Sequence, residues 1–390
     1  MTASQAWEPA LGVMVAPPRV ETPAALSDAV RSGNLHGLWW PDHWMGWAPA
    51  AAWDSAGLIA SVWESPDLYA DPFVEMVTLG AAVRPPLVGT AVTDVVRRHP
   101  AGLLQSAESV LRALPDTRLV LGLGAGERAN LEPYGLRRAP VGRIGETLDV
   151  LRQLRDRGQV SLQGEHLTMD RAPLPAPLCR EWLSVWLGAH GPRTKALAAG
   201  VADGWLPVGL SPRHIRESLV AMGRWPPPAA ESHGGPRRDP GKRVWTPAAL
   251  VPVGIVESDA ERARMCRSNA LKMLALSWDP AVFRRVGAAH PLGDSADPLR
   301  DFVPGWLDRT AALRLLSAVP DEVVGRFIRW GTPEATAKLF GDYTRAGVRH
   351  VIAWEVTHLA EPGRRSRSLE LLAQAWSMTR RHRTGGPETS

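Results

Sequence analysis

The stretch RLVLGLGAGERANLEPYG, Arg118–Gly135, decides the fold. Arg118–Leu123 is a short apolar run of strand type that breaks into glycines and then into Glu127 and Asn130. A strand that ends in a Gly-rich polar loop is one unit of an alternating β/α chain. Gly122, Gly124 and Gly126 alternate, so the order is not G-x-G-x-x-G. No acidic residue closes a second strand about 20 positions on, which leaves the dinucleotide fingerprint weak. The glycines permit close approach to a ligand or a positive φ. The plainer alternative is a tight turn with a helix cap.

Outward from that stretch the alternation repeats. Strands are expected at Leu11–Ala16, Gly37–Trp40, Leu87–Thr93, Arg118–Leu123, Ser184–Leu187, Gly204–Pro207, Ala249–Glu257 and His350–Val356. Helices are expected at Thr22–Ser32, Pro100–Ala113, Val141–Arg157 and Pro192–Gly200, with Thr22 as an N-cap and Pro23 at the first helical position. Eight strands alternating with helices describe an α/β protein of the (β/α)8 TIM-barrel type; a doubly wound sheet is the alternative. The unusual residues favour the barrel, because they follow strand C-termini: Asp42–His43, Thr93–Asp94, Gly124–Asn130 and Gly188–Arg193. A barrel gathers those loops on one face.

Two stretches exceed a minimal barrel, about 44–76 after the second strand and about 259–336 before the last unit. Such insertions wall substrate pockets. Residues 225–243, WPPPAAESHGGPRRDPGKR, read as a surface loop. The expectation is one catalytic barrel domain over 1–379 and a flexible tail over 380–390.

Composition sets the class. Of 390 residues, 45% are hydrophobic and 22% charged, which suits a globular protein and excludes wholesale disorder. No apolar run reaches the roughly 18 residues of a transmembrane helix. MTASQAWEPALGV carries no positive charge and no apolar core of a secretory signal. Cys179 and Cys266 cannot frame a disulfide scaffold or a zinc site and read as reduced thiols, which points to the cytoplasm. The balance of 45 basic against 40 acidic residues is scattered, and almost every base is Arg, which suits a GC-rich genome better than a nucleic-acid surface. No nucleic-acid partner is expected. Several of the 17 Trp are expected to line an apolar pocket, with plain core packing as the alternative.

Three segments carry chemistry. GLGAGERANLEPYG places Glu127 and Asn130 beside a glycine loop. VWLGAHGPRTK places Gly188, Ala189, His190, Gly191 and Arg193 at a helix N-terminus, where amides and a guanidinium suit an anion. WWPDHWMGW places Asp42 and His43 at a strand end among indoles, where an imidazole suits acid–base work. An ordinary βα turn and a structural His are the plain readings of the last two. No His, Glu or Asp pair has metal spacing, and no G-x-S-x-G elbow occurs.

Taken in order, PDH, VTDVVRRHPAGLLQ, GLGAGERANLEPYG, VWLGAHGPRTKALAAG, ADGWLPV, HPLGDSADPLRDFVPGWLD and GTPEA resemble the luciferase-like monooxygenase superfamily. The likeness runs from about Gly33 to Thr357 and is closest to the branch that uses coenzyme F420, a deazaflavin. Within that branch it is similar to the phthiodiolone dimycocerosate ketoreductases. The resemblance implies a TIM barrel, a homodimer, and hydride transfer between F420 and a ketone or activated double bond of a lipid or specialised metabolite. FMN with reduced flavin and oxygen is the alternative, and a non-catalytic deazaflavin-binding barrel is another. It implies a non-prolyl cis peptide near Ala91–Val92, just before Thr93, backing the cofactor ring. It further implies His43 as acid–base, Asp42 at the deazaflavin head, Trp47 against ring and substrate, Glu127 at the pyrimidine edge and Asn130 beside it. Ala125, Gly126 and Gly188–Arg193 would hold the phosphate and ribityl tail. The first strand ends in APPRV, which lacks the acidic residue some relatives carry. Trp44-Met45-Gly46-Trp47 is bulkier than in the ketoreductases.

Overall fold

The structure is a computed structural model, and it describes residues 9–16, 21–53, 65–226 and 244–384. Eight parallel strands close on themselves: β1 (Ala10–Met14), β2 (Gly37–Trp40), β3 (Leu87–Thr90), β4 (Arg118–Gly124), β5 (Leu183–Leu187), β6 (Gly204–Trp205), β7 (Thr246–Ile255) and β8 (His350–Glu355). The ring shuts where Ala10 pairs with His350 and Gly12 with Gly37. Each strand is followed by a helix on the outer wall: α1 (Pro23–Arg31), α2 (Pro72–Val83), α3 (Pro100–Ala113), α4 (Val141–Arg157), α5 (Pro192–Gly200), α6 (Pro212–Ala221), α7 (Pro333–Arg345) and α8 (Arg365–Thr384). The fold is the expected (β/α)8 barrel.

Local chemistry explains the helix starts. Proline stands in the first turn of α1, α2, α3, α5, α6 and α7, where its missing N–H costs nothing. Asp71 Oδ1 caps α2 by accepting the Phe73 N–H at 2.9 Å, and Ser211 and Thr332 cap α6 and α7. Thr22 departs from its expected role. It occupies the N-cap position of α1, but its N–H is drawn to Glu21 Oε1 at 3.0 Å and its hydroxyl caps nothing.

The third strand also differs from the expected single run of 87–93. It stops at Thr90, the Ala91–Val92 peptide is cis, and the chain rejoins the sheet at Thr93–Asp94 beside Leu123 and Gly124. Gly122 permits this detour: a Cβ there would stand 2.1 Å from the Thr90 carbonyl oxygen. Of the alternating glycines, Gly122 makes room for the neighbouring backbone and only Gly126 takes a positive φ, at 87°.

The main core lies between strands and outer helices, and the barrel lumen is filled by Trp39, Trp186, Leu206, Ile352 and their neighbours. Trp39 Nε1 donates to His350 Nε2 at 3.1 Å across the lumen. The 259–336 insertion folds as short helices, among them Asn269–Ala275 and Asp321–Phe327, around a separate core of Leu271, Leu274, Phe283 and Phe327. Trp47, Trp53 and Trp354 pack onto that core, so it roofs the C-terminal face of the barrel. A buried ion cluster ties the seam: Arg365 reaches Glu21 at 2.9 Å, Glu355 at 3.4 Å and the Met14 carbonyl at 2.8 Å. Burial would raise the Glu21 and Glu355 carboxyls, but their cationic partners hold both below the usual range.

An antiparallel hairpin, Gln159–Gln163 with Thr168–Pro173, was not expected from the sequence. α8 continues to Thr384, past the expected start of the tail at 380. Residues 385–390, most of the Pro/Gly-rich 225–243 loop and Pro17–Val20 of APPRV lie outside the described residues. Among the described residues no helix is long and apolar enough to cross a membrane.

Candidate active site

Four strand ends meet at the C-terminal mouth. β2 delivers Asp42 and His43, the detour after β3 delivers Ala91, Val92 and Thr93, β4 delivers Ala125–Asn130, and β5 delivers Gly188–Arg193. Their order in space follows the sheet, since β2 pairs β3, β3 pairs β4 and β4 pairs β5.

Asp42 is buried, and its carboxylate is engaged within the protein. Its Oδ2 accepts the Thr93 hydroxyl at 2.6 Å, and Arg97 and Arg98 approach its carboxylate at 3.3 and 3.4 Å. Arg97 also donates to the Asp42 carbonyl at 2.5 Å and pairs with Asp94. The Asp42 carboxylate and Thr93 hydroxyl therefore pin the turn that presents His43.

His43 is half-buried. Its Nδ1 lies 2.9 Å from the Asn130 side-chain nitrogen and 3.9 Å from Glu127 Oε2. Asn130 is 3% exposed, and its carbonyl oxygen accepts the backbone N–H of Trp44 at 2.6 Å and of Met45 at 2.9 Å. Two donors on Oδ1 fix which way the amide faces, so its NH2 points at His43. Nδ1 must then be the acceptor, and the proton sits on Nε2.

The loop after β4 is shaped by Gly126, whose Cβ would strike Leu131 Cδ1 at 2.5 Å. Glu127 precedes a turn of 3-10 helix, Arg128–Asn130, which brings both Glu127 and Asn130 to His43 Nδ1. Segment 301–306 of the insertion docks alongside: Arg128 stacks over Trp306 at 5.2 Å, and the Gly305 N–H meets Met45 Sδ at 3.4 Å. Trp47 is half-buried and packs edge-on against Trp53, ring centroids 6.1 Å apart, so its recorded contacts are with the roof.

At the β5 end, Gly191 precedes α5, and the first intrahelical bond is Lys195 N–H to the Gly191 carbonyl at 2.9 Å. Arg193 is exposed beside the first-turn amides. The Ala189 carbonyl accepts Trp205 Nε1 at 2.8 Å, which anchors the loop from beneath. His190 Nε2 accepts the Val208 N–H at 3.4 Å; desolvation and then the Lys195 charge hold its pKa below the ordinary value. It stands neutral at pH 7 and adds no charge to an anion site. Between the His43 and Arg193 ends, the half-buried Val92, Val208 and Trp354 crown the lumen core as an apolar floor.

Three contributors escaped the sequence reading. Arg97 and Arg98 lie within VTDVVRRHPAGLLQ, yet nothing in their spacing shows that they grip Asp42. Tyr69 comes from the first insertion and stands against His43, ring centroids 5.4 Å apart at 36°. Among the described residues no group of three or more His, Cys, Asp or Glu is placed to hold a metal.

Comparison with known proteins gives the family and supports the fold. A phthiodiolone/phenolphthiodiolone dimycocerosates ketoreductase of Mycobacterium tuberculosis is 32% identical over 272 residues, 68% of this chain and 68% of that protein. The fold matches the coenzyme F420-dependent tetrahydromethanopterin reductase of Methanopyrus kandleri with a TM-score of 0.65 at 16% identity, covering 94% of this chain and 98% of that one. It matches an F420-dependent secondary alcohol dehydrogenase, solved with an F420–acetone adduct, equally well at 0.65 and 18% identity, over 95% and 99% of the two chains. The luciferase-like monooxygenase family model matches residues 16–350, and the chain belongs to that family of enzymes.

Proposed function

We propose that the chain is a coenzyme F420-dependent oxidoreductase that passes a hydride between the deazaflavin and a ketone or activated double bond of a lipid or specialised metabolite. One observation carries the reading: a His whose tautomer is dictated by Asn130 stands beside Glu127, at the edge of an apolar floor that runs towards an anion-ready helix start. The ketoreductase relative supports the reaction class, and the solved neighbours named for F420 share the fold.

The residues fit such a cofactor. Val92, Val208 and Trp354 offer a flat apolar seat for a ring. The Gly191, Arg193 and Thr194 amides and the Arg193 guanidinium offer donors for a phosphate, with Gly188 and Ala189 lining the path and Ala125 and Gly126 opposite. When bound, reduced F420 supplies the hydride. As a ketone carbon takes it, the C=O π electrons move onto oxygen, and the His43 Nε2 proton goes to that oxygen. Nε2 regains a proton from solvent at the mouth once the alcohol leaves, so the imidazole returns to the neutral Nε2–H form that Asn130 selects. The tryptophan roof from 259–336 keeps water from the reacting carbon and gives an apolar substrate its surface. We take 1–379 as one catalytic domain that includes this roof.

A fluorescence titration tests the cofactor. Saturable quenching of Trp emission by F420, with FMN much weaker, is the expected result. Tight FMN binding with no F420 response would make the protein a flavin enzyme instead. Loss of turnover in His43→Ala, with F420 binding retained, separates an enzyme from a passive carrier.

A further inference from the structure

We propose that Tyr69 is a second hydrogen-bond donor to the substrate oxygen, beside His43, and that the substrate is therefore a ketone or its secondary alcohol. This inference rests on the F420 reading above and narrows its substrate class.

The placement is built, not incidental. Segment 65–71 is fastened to the His43 loop at both ends. Asp67 Oδ1 accepts the Gly46 N–H at 2.8 Å, and Pro66 packs so closely beneath Gly46 that a Cβ there would stand 2.1 Å from the Pro66 carbonyl oxygen. At the other end Asp71 takes Arg98 at 2.7 Å, and the same guanidinium reaches Asp42 at 3.4 Å. Between these anchors the Tyr69 ring lies against the His43 imidazole. Two rings in contact, held by clamped neighbouring segments, bring the Tyr69 O–H and the His43 imidazole to one part of the site.

The phenol stays protonated. Burial, the Glu127 charge and the Asp67 charge all push its pKa far above the ordinary value. Tyr69 thus donates a hydrogen bond without giving up its proton, and the transferred proton remains the one on His43. A carbonyl oxygen has two lone pairs, and the negative charge that develops on it during hydride addition accepts two donors. The β-carbon of an activated double bond presents no such acceptor at the reacting centre.

The experiment compares the wild-type protein with Tyr69→Phe, which keeps the ring and removes the hydroxyl. F420 affinity is read by Trp fluorescence, turnover by F420 absorbance with a set of aryl and alkyl ketones including acetophenone, and site integrity by the 15N shifts of His43 in the cofactor-free protein. Expected are unchanged His43 shifts, F420 affinity within about twofold, and kcat lowered by about 10²-fold, the effect of losing one oxyanion donor. Unchanged kcat in Tyr69→Phe overturns the Tyr69 role alone. F420 binding without turnover of any ketone by the wild-type protein overturns the ketone assignment. Absence of F420 binding by the wild-type protein overturns the cofactor reading and this inference with it.

Discussion

The Asn130 amide donates to His43 Nδ1 at 2.9 Å while its oxygen is held by the Trp44 and Met45 backbone. The amide cannot turn over without stranding two backbone donors, so Asn130 decides which His43 nitrogen carries the proton. Asn130→Asp keeps the two backbone acceptor bonds and replaces the donor with an acceptor. The proton should move from Nε2 to Nδ1, leaving no donor for the substrate oxygen. We expect kcat/KM to fall by about 10²-fold, a loss typical of a misplaced acid–base group. The 15N shifts of His43 in the free protein check the tautomer independently of turnover, and an unchanged Nε2–H pattern would refute it.

Gly122 stands against the Thr90 carbonyl at the strand detour, where an added Cβ would have only 2.1 Å. The obstacle is the Thr90 backbone, so it cannot be relieved by a rotamer change. Gly122→Ala should cost about 3 kcal/mol or more of stability, the range of severe overpacking. Gly102 in the first turn of α3 has nothing within 4 Å, and Gly102→Ala there should be neutral or stabilising by up to about 1 kcal/mol. The urea midpoint should fall in Gly122→Ala and hold or rise in Gly102→Ala.

The contrast between those two glycines shows what the sequence could convey. The barrel was legible because each apolar run ends in a run of glycine or polar residues, and Gly37–Trp40 and Pro100–Ala113 form with the bounds their patterns suggest. Asp42, His43, Glu127, Asn130 and Gly188–Arg193 could be singled out because polar residues at a strand end need a reason to be there. The orientation of Asp42 could not: whether a carboxylate faces a ligand or two arginines depends on Arg97 and Arg98, more than 50 residues on. Nor could the use of Gly122, which answers to the neighbouring strand. The hairpin after α4 escaped because only Val160, Met169 and parts of their neighbours are buried, leaving no alternation to read. Tyr69 escaped because its partners come from three separate segments.

His290 sits in the roof, buried against Phe283 with ring centroids 4.4 Å apart, and its Nδ1 accepts the Leu292 N–H at 3.1 Å. Burial lowers its pKa, only partly offset by the Leu276 backbone contact and the charges of Asp279 and Asp294. The unfolded chain therefore binds a proton at a higher pH than the folded one. Stability is full above the unfolded value near 6.5 and is lost as pH falls from there towards the folded value. The wild-type melting temperature should drop over that interval. His290→Asn, which keeps an acceptor for Leu292 without a titrating group, should flatten that part of the curve. A slope equal to wild type would assign the acid sensitivity elsewhere.

Arg193 and Lys195 lie two residues apart on α5 but do different work. The Lys195 ammonium donates to Ser218 Oγ at 2.9 Å and lies 5.8 Å over the Trp205 ring, so its charge is spent on packing α5 against α6 and the barrel. Among the described residues Arg193 makes no hydrogen bond or ion pair, and it is exposed beside the helix's first-turn amides, where a phosphate would gather both. Arg193→Ala should weaken F420 binding by about 10-fold, the worth of one charge-assisted contact. It should also flatten the dependence of that binding on salt and leave the melting temperature unchanged. Lys195→Ala should do the reverse, lowering the melting temperature with a smaller effect on binding. Fluorescence titrations at two ionic strengths, set beside thermal melts, separate the two. Equal losses of affinity in both variants would mean that the anion end of the site lies nearer α6 than the Gly191 turn.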